Sequence, residues 1–396
     1  MIHTQLDAGY ENVLRIIRYV GQTMLRPAGL AADRRGTPIP VDDPMFIEWN
    51  QTGLSFGAVG MGKNSTGEGE TRVNRSAVLA AEEMAFWDQG ACMSLPGPGL
   101  GGPPIRILGN EEQKQRFLVD PFEDKNKPAW GAYATTESAA GSDVARIQTT
   151  AVEDGDHYII NGNKMFITNG GRASWVVVFA TVDPSMGRAG QRAFVIEKGT
   201  PGFTVGRIEK KMGLTASETA TLFFENCRVP KANVLGDGQG KSGFKAAMAT
   251  FDITRPMVAV MAVGIGRCAW NRAAQIAREA FGANPTSPVE QAMLQRLARA
   301  RQQLDAARLL CWRAAWKMDH RQPNTVEASM AKVYAPPAAL NATKVAMDVC
   351  GLAGVRNDTL VEKCFRDVKV FDIFEGTGEV QRIVLARRLF GYPRTH

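Results

Sequence analysis

The stretch FDIFEGTGEVQRIVLAR (Phe371–Arg387) sets one carboxylate, Glu375, between apolar Phe374 and flexible Gly376, just ahead of a helical pattern. An acid in that place is either an ordinary polar residue at a helix start or a general base held where water is scarce. The choice depends on what the rest of the chain is built to bind. A second stretch, GPGLGG (Gly97–Gly102), has the GxGxxG spacing of dinucleotide-binding loops. That fingerprint needs a strand before it and a helix opening at its end. Here an Ala-rich helix precedes it and Pro103-Pro104 follows, so it reads as a loop or a broken helix.

The elements that must position such residues fall into three zones, expected at 1–130, 131–240 and 241–396. The first is mostly helical, with Gly- and Pro-rich loops around 60–70 and 94–104. Within it RSAVLAAEEMAFWD (Arg75–Asp88) reads as a buried helix, and Asn110 before EEQKQRFL as an N-cap followed by acids that suit the helix dipole. In the second zone the period shortens. HYIINGNKMFI carries two β-favouring runs around Asn161-Gly162, which predicts a hairpin turn there. WVVVFATV, RAFVIEK and ATLFFENCRV are further strands on short turns, pointing to a small antiparallel barrel or sandwich rather than a parallel sheet. In the third zone Met293, Leu297, Ala300, Leu304, Ala307, Cys311, Ala314 and Met318 alternate steps of four and three, one long buried stripe. Long helices on short links imply a bundle.

Composition narrows the function classes. The chain of 396 residues is 44% apolar and 22% charged, ordinary for a globular protein with a large core. It contains no long uncharged apolar run, so no membrane span is expected. The N-terminus carries early acids and no continuous apolar segment, so it does not read as a signal peptide. Six scattered cysteines without a CxxC argue against a zinc site or a disulfide framework and fit a reducing cytoplasm. The net charge of +7 permits a polyanionic ligand, but no Lys/Arg run interleaves with aromatics, and nucleic acid is not an expected partner.

YATTESAAGSDVARIQTTAVEDGDHYIINGNKMFITNGGRASW (Tyr133–Trp175) resembles the flavin-binding signature of the acyl-CoA dehydrogenases. Thr136-Glu137, Gly141-Ser142-Asp143 and Lys164, Phe166, Ile167, Thr168 and Asn169 fit its two halves, with Ser138 in place of the usual Pro. LGNEEQK, FDITRPMVAVMAVGIG and the FEGTGEVQRIVLAR stretch agree in order, so the likeness covers nearly the whole chain. It implies a mainly α fold with a central β domain: an N-terminal helical domain, a small β barrel or sandwich and a C-terminal four-helix bundle. It also implies FAD as cofactor and an acyl-CoA as substrate. The reaction would be α,β-dehydrogenation to a trans-2-enoyl thioester in fatty acid or lipid β-oxidation, with an electron-transferring flavoprotein as acceptor and a homotetramer or dimer as the assembly.

The resemblance gives roles to residues. Glu375 aligns with the base that takes the α proton while the β hydride goes to flavin N5. Phe374 would shield its carboxylate and raise it from about 4.3 towards neutrality, where a base works best. Its backbone N–H, with a flavin ribityl hydroxyl, would hold the thioester oxygen. Gly376 would let the thioester approach the backbone, and Thr377 would cap the next helix, with Glu379 beside it near the cofactor. Tyr133, Thr135 and Thr136 resemble residues on one side of the isoalloxazine, Phe166 and Thr168 those on its other flank. Gly141 and Ser142 would meet cofactor or ligand, Asp252 the pantetheine, and Arg255 the same neighbourhood. Thr254 stands where some relatives carry the base and cannot serve as one.

Arg278, Phe281 and Gln291 resemble residues that reach a neighbouring subunit's flavin; an Arg fork suits a pyrophosphate. MDVCGLAG stands for the family's Q-x-x-G-G-x-G: Gly351 and Gly354 are kept, while Met347 and Leu352 replace Gln and Gly. That departure leaves a second reading, a structural or FAD-sharing subunit of a hetero-oligomer. A same-fold flavin monooxygenase is the third, and FEGT speaks against it. CMSLPGPGLGGPPI (Cys92–Ile105) falls where relatives floor the acyl pocket with a continuous helix. Its Pro and Gly residues should break the helix and widen the pocket for a long, branched or ring-bearing acyl group.

Overall fold

The computed structural model describes residues 8–53, 73–236, 241–282 and 285–392, with the side chains of 8–10, 241–250 and 252 outside that description. The Gly-rich loop around 60–70 lies outside the described residues. α1 (Ala8–Val20) buries Leu14, Ile17 and Val20 along one face, and α2 (Arg26–Arg35) ends at Gly36 in a left-handed conformation, φ 71°. After α3 (Met45–Gln51) comes α4 (Val73–Ser94), most of whose residues from Val78 onward are buried. α4 is broken at Asp88, where φ is −165° and ψ 110°. The Asp88 carboxylate restarts the helix by accepting from the Ala91 N–H at 2.9 Å, as an N-cap does.

The Pro/Gly stretch ends α4 as expected. Gly97, φ 143°, leaves the helix and pairs its backbone with Ala129 and Gly131 before α5 (Gly102–Leu108) begins. α6 (Glu111–Lys114) opens with a full capping box: Gln113 N–H donates to Asn110 Oδ1 at 2.8 Å, and Asn110 N–H to Gln113 Oε1 at 3.1 Å.

Eight strands follow among the described residues: β1 (Gly131–Ala134), β2 (Thr150–Asp154), β3 (His157–Thr168), β4 (Trp175–Thr181), β5 (Gln191–Glu197), β6 (Phe203–Ile208), β7 (Thr219–Pro230) and β8 (Val234–Leu235). They form one sheet in the order β6-β7-β3-β2-β4-β5-β8, mostly antiparallel, with β1 joining β4 in parallel. Every residue of β4 is buried. Its alternation explains why: Val176, Val178 and Ala180 enter a core shared with β3, β5 and β7, while Trp175, Val177 and Phe179 face Ile105 and Phe117. The sheet therefore folds around one core and presents its other face to helices.

The hairpin expectation is corrected. The turn between β2 and β3 is Gly155-Asp156, with Gly155 at φ 59°, and Asn161-Gly162 lies within β3 at a bulge. There Gly162, φ 146°, passes so close to Thr149 that a Cβ would sit 2.6 Å from its hydroxyl. The dipeptide serves a left-handed bulge rather than a turn.

α7 (Lys241–Phe281), α8 (Pro288–Asp319) and α9 (Thr325–Cys350) pack around one another, with α10 (Leu360–Val368) and α11 (Gly378–Phe390) closing the bundle. The α8 stripe is buried from Leu297 through Ala314, with Met293 and Met318 half-buried at its ends. α7 crosses α4 closely: a Cβ at Gly264 would lie 2.3 Å from the Glu82 carbonyl oxygen. The loop between β6 and β7 reaches both the N-terminal helical region and α10. Ile39 N–H donates to Ala216 O (3.1 Å), Thr215 Oγ1 to Asp33 Oδ1 (3.0 Å) and Leu214 N–H to Asp367 Oδ1 (2.6 Å), while Gly213 lies flat on the Arg366 backbone.

Candidate active site

Glu375 lies in the turn before α11 with φ 53°, a conformation that costs a non-glycine residue free energy and is retained only where its surroundings enforce it. The next residue explains part of that enforcement. Gly376, φ 93°, leaves space that a Cβ would fill at 2.3 Å from the Gln381 side-chain nitrogen. Thr377 then caps α11, accepting from Val380 N–H at 3.3 Å, and Glu379 is exposed in its first turn. Below the turn, Phe374 packs edge-on against wholly buried Phe371, ring centroids 4.9 Å apart.

The carboxylate is crowded by protein although the residue keeps some surface of its own. Thr254 Oγ1, from α7, donates to its Oε2 at 2.6 Å. Burial raises its pKa above the usual carboxylate value. The Thr254 hydrogen bond, Lys332 and Arg255 oppose that without cancelling it. Arg255 lies over the Phe251 ring at 5.7 Å, and Tyr133 meets the same ring edge-on at 6.0 Å. The phenol of Tyr133 is raised by its own burial and further by the Glu375 charge. The β-sheet face and the Glu375 loop therefore lie close to one another. Asp252, expected in the same place, has its side chain outside the described residues.

The β-sheet side of this neighbourhood rests on a buried ion pair. Lys164, wholly buried on β3, donates to Glu137 Oε1 at 2.7 Å and to Thr135 O at 3.1 Å. Glu137 also accepts from the N–H groups of Gln148 (2.6 Å) and Thr149 (3.0 Å) and from the Thr149 hydroxyl (2.6 Å). Burial would push the Glu137 carboxyl up, but Lys164 and these donors hold it low; burial lowers Lys164 to about 8 despite Glu137, so the pair is charged at neutral pH. This network fixes the loop bearing Thr135 and Thr136, whose carbonyl at 136 accepts from Met165 N–H.

Two hydroxyls here lack satisfaction. Those of Tyr133 and Thr135 are buried and approach each other, yet neither forms a hydrogen bond of good geometry. Orphaned polar atoms at a cleft call for an outside partner, as the polar edge of a flavin would supply. Phe166, φ 59° and 59% exposed, offers its ring face alongside half-buried Thr168. Gly141 and Ser142 are exposed, and nothing stands within 4 Å of a Cβ at Gly141. The residues present fit the cofactor.

Other expected residues lie elsewhere. Arg278 and Phe281 end α7, Gln291 lies in the first turn of α8, Met347 lies in the last turn of α9, and Gly351 and Gly354 lie in the short turn that follows it. From Lys332 to Met347 is about 22 Å of helix rise, so this end of the bundle does not serve the same cleft. Arg278 and Gln291 are exposed there, and Leu352, in place of a glycine, is 87% exposed. Sequence reasoning missed Lys332, Ser329 and Gln381, all wholly buried beside the turn that carries Glu375. The signal was a lone lysine inside the Ala-rich α9 stripe Ala328, Ala331, Ala335, Ala339.

Residues 132–227 match the middle domain of the acyl-CoA dehydrogenases and residues 241–390 their C-terminal domain. A probable acyl-CoA dehydrogenase of Mycobacterium tuberculosis is 34% identical over 97% of this chain and 96% of its own. The butyryl-CoA dehydrogenase structure from Megasphaera elsdenii superposes with a TM-score of 0.87 at 35% identity, covering 98% of this chain and 100% of that one. A chain from a structure described as the electron transferring flavoprotein of Acidaminococcus fermentans gives a TM-score of 0.86 at 35% identity, covering 98% of this chain and 99% of that one.

Proposed function

Because the chain belongs to the acyl-CoA dehydrogenase family, whose members are FAD-dependent oxidoreductases, we propose that Glu375 is the base of an acyl-CoA α,β-dehydrogenation. The observation that carries this reading is a carboxylate with raised pKa, hydrogen-bonded to Thr254 and near enough to the buried Tyr133 phenol for its charge to raise that group. Glu375 takes the α proton. Its backbone N–H donates to the thioester oxygen, stabilising the enolate character that makes the α C–H acidic. Phe374 and Phe371 keep water away, and Thr254 orients the carboxylate. Bound FAD supplies the acceptor for the β hydride at N5. Tyr133, Thr135, Thr136, Phe166, Thr168, Gly141 and Ser142 hold the isoalloxazine side of that cofactor, with Thr377 and Glu379 beside it. Ser142, Asp252, Arg255 and Gly376 contact the substrate.

Arg278, Phe281, Gln291, Met347, Gly351 and Gly354, grouped at the far end of the bundle, reach a neighbouring copy's FAD, which makes the working form an oligomer. The break at 95–101 supports a long, branched or cyclic acyl group; preference for butyryl-CoA over such thioesters would overturn that part. An electron-transferring flavoprotein is the proposed acceptor. Among the described residues no helix is long and apolar enough to cross a membrane, and the six cysteines are free, which supports a reducing cytoplasm.

The test is anaerobic titration of the holoenzyme with an acyl-CoA panel. The native chain should bleach its flavin absorbance and yield a trans-2-enoyl-CoA, and Glu375→Gln should keep its flavin and bind thioester without bleaching. Bleaching by Glu375→Gln at the native rate would falsify the assignment of the base.

A further inference from the structure

Lys332 lies in α9 with no exposed surface, on a stripe otherwise built of alanines. A lysine is buried at such cost only where its ammonium finds full compensation. Here the compensation is the base turn itself: Nζ donates to Phe371 O at 2.5 Å and to Gly376 O at 3.2 Å. These carbonyls bracket the turn that carries Glu375. A second strut runs beside it, Ser329 Oγ donating at 3.0 Å to Gln381 Oε1, with the Gln381 amide under Gly376.

Charged groups face Lys332 from each element around it: Asp372 and Glu375 from the loop, Glu379 from α11 and Arg255 from α7. We propose that Lys332 is the positioning residue of the base: its ammonium ties Phe371 O to Gly376 O, holds the left-handed Glu375–Gly376 turn closed, and places a fixed positive charge beneath the carboxylate. A non-glycine residue in the left-handed region, as Glu375 is, relaxes unless something over-determines it, and a single buried cation bonded on both sides of the turn does so. Burial brings Lys332 down to about 8, so the clamp is charged at neutral pH and weakens just above it.

The inference rests on Glu375 being the base, and the experiment separates the two. Native holoenzyme, Glu375→Gln, Lys332→Met and Lys332→Gln are compared for flavin content, thioester KM and anaerobic flavin-reduction rate across pH. Lys332→Met should keep its flavin and a KM within a few-fold of native, while reduction slows about a hundredfold, the scale of a misplaced catalytic group. Its acid limb should move to higher pH, because a cation that favoured the carboxylate is gone. Lys332→Gln, which restores a neutral donor, should recover part of the rate but keep the shifted limb. Native rate and native acid limb in Lys332→Met overturn the proposal, whereas native bleaching in Glu375→Gln overturns the base assignment instead. A readout without substitution at 332 covers misfolded variants. The Glu375 carboxylate stretch in infrared difference spectra, assigned by its loss in Glu375→Gln, should shift as the native holoenzyme passes pH about 8. A stretch unmoved from neutral pH to beyond the ordinary lysine value, about 10.4, overturns the clamp.

Discussion

At the scale of single residues, the working state of Glu375 is a balance that can be moved from either side. Burial raises its carboxyl and Thr254 lowers it, so this proposed base is mostly ionised only above a pH higher than an ordinary carboxylate requires. The acid limb of kcat/KM should therefore lie above the usual Glu range, about 4.3. Thr254→Val removes a donor that favours the charged form, so its limb should move further up, read from pH-rate profiles. An unmoved limb would show that the hydroxyl bonds some other group during catalysis. Glu375, Gly376 and Thr377 were legible in the sequence because local chemistry and motif coincide there. Lys332 was not, because helical periodicity treats a long cation in a stripe as a side chain that snorkels to water. What buries it is the 371–376 turn, packed on α9 from far along the chain.

At the scale of elements, close approach and buried charge decide which changes the fold tolerates. Lys164→Met leaves Glu137 buried without its cation, a change expected to cost about 3–5 kcal/mol. Calorimetry should show the fall in Tm, and equilibrium dialysis a weaker hold on FAD, because the Thr135–Thr136 loop loses its anchor. Gly264→Ala pushes a methyl against the Glu82 carbonyl at the α4–α7 crossing and should cost about 1–3 kcal/mol. Chemical denaturation would show that loss with the acid limb of the reaction unchanged. Element type was readable almost everywhere, since period and length separate the long helices from the short strands. Two local features escaped. The strongest turn dipeptide, Asn161-Gly162, was claimed by a bulge against Thr149, while Gly155-Asp156 made the turn. Asp88 interrupts α4 two residues before a lone Gly90, and its carboxylate is secured by Lys363 of α10 at 2.8 Å. Both depend on neighbours that local propensity does not see.

At the scale of the whole molecule, the far end of the bundle is exposed although it carries the residues proposed to reach another copy's cofactor. Arg278→Ala should lower flavin content on dilution, measured by absorbance after gel filtration at falling protein concentration, and leave the Glu375 acid limb in place. Retention of FAD at every dilution would remove that role. The layout of helices, strands and helices was legible because each zone has its own hydrophobic period; what joins the zones was not, because the joints are single side chains and close backbone passages. The β6–β7 loop is the clearest case, bonded at once to the Asp33–Ile39 region and to α10. A segment with sockets on two sides makes the chain a poor kit of interchangeable parts. Chimeras that exchange the strand region between relatives should stay soluble only when this loop travels together with Asp33, Ile39, Arg366 and Asp367, and grafts that split the set should be recovered as aggregates.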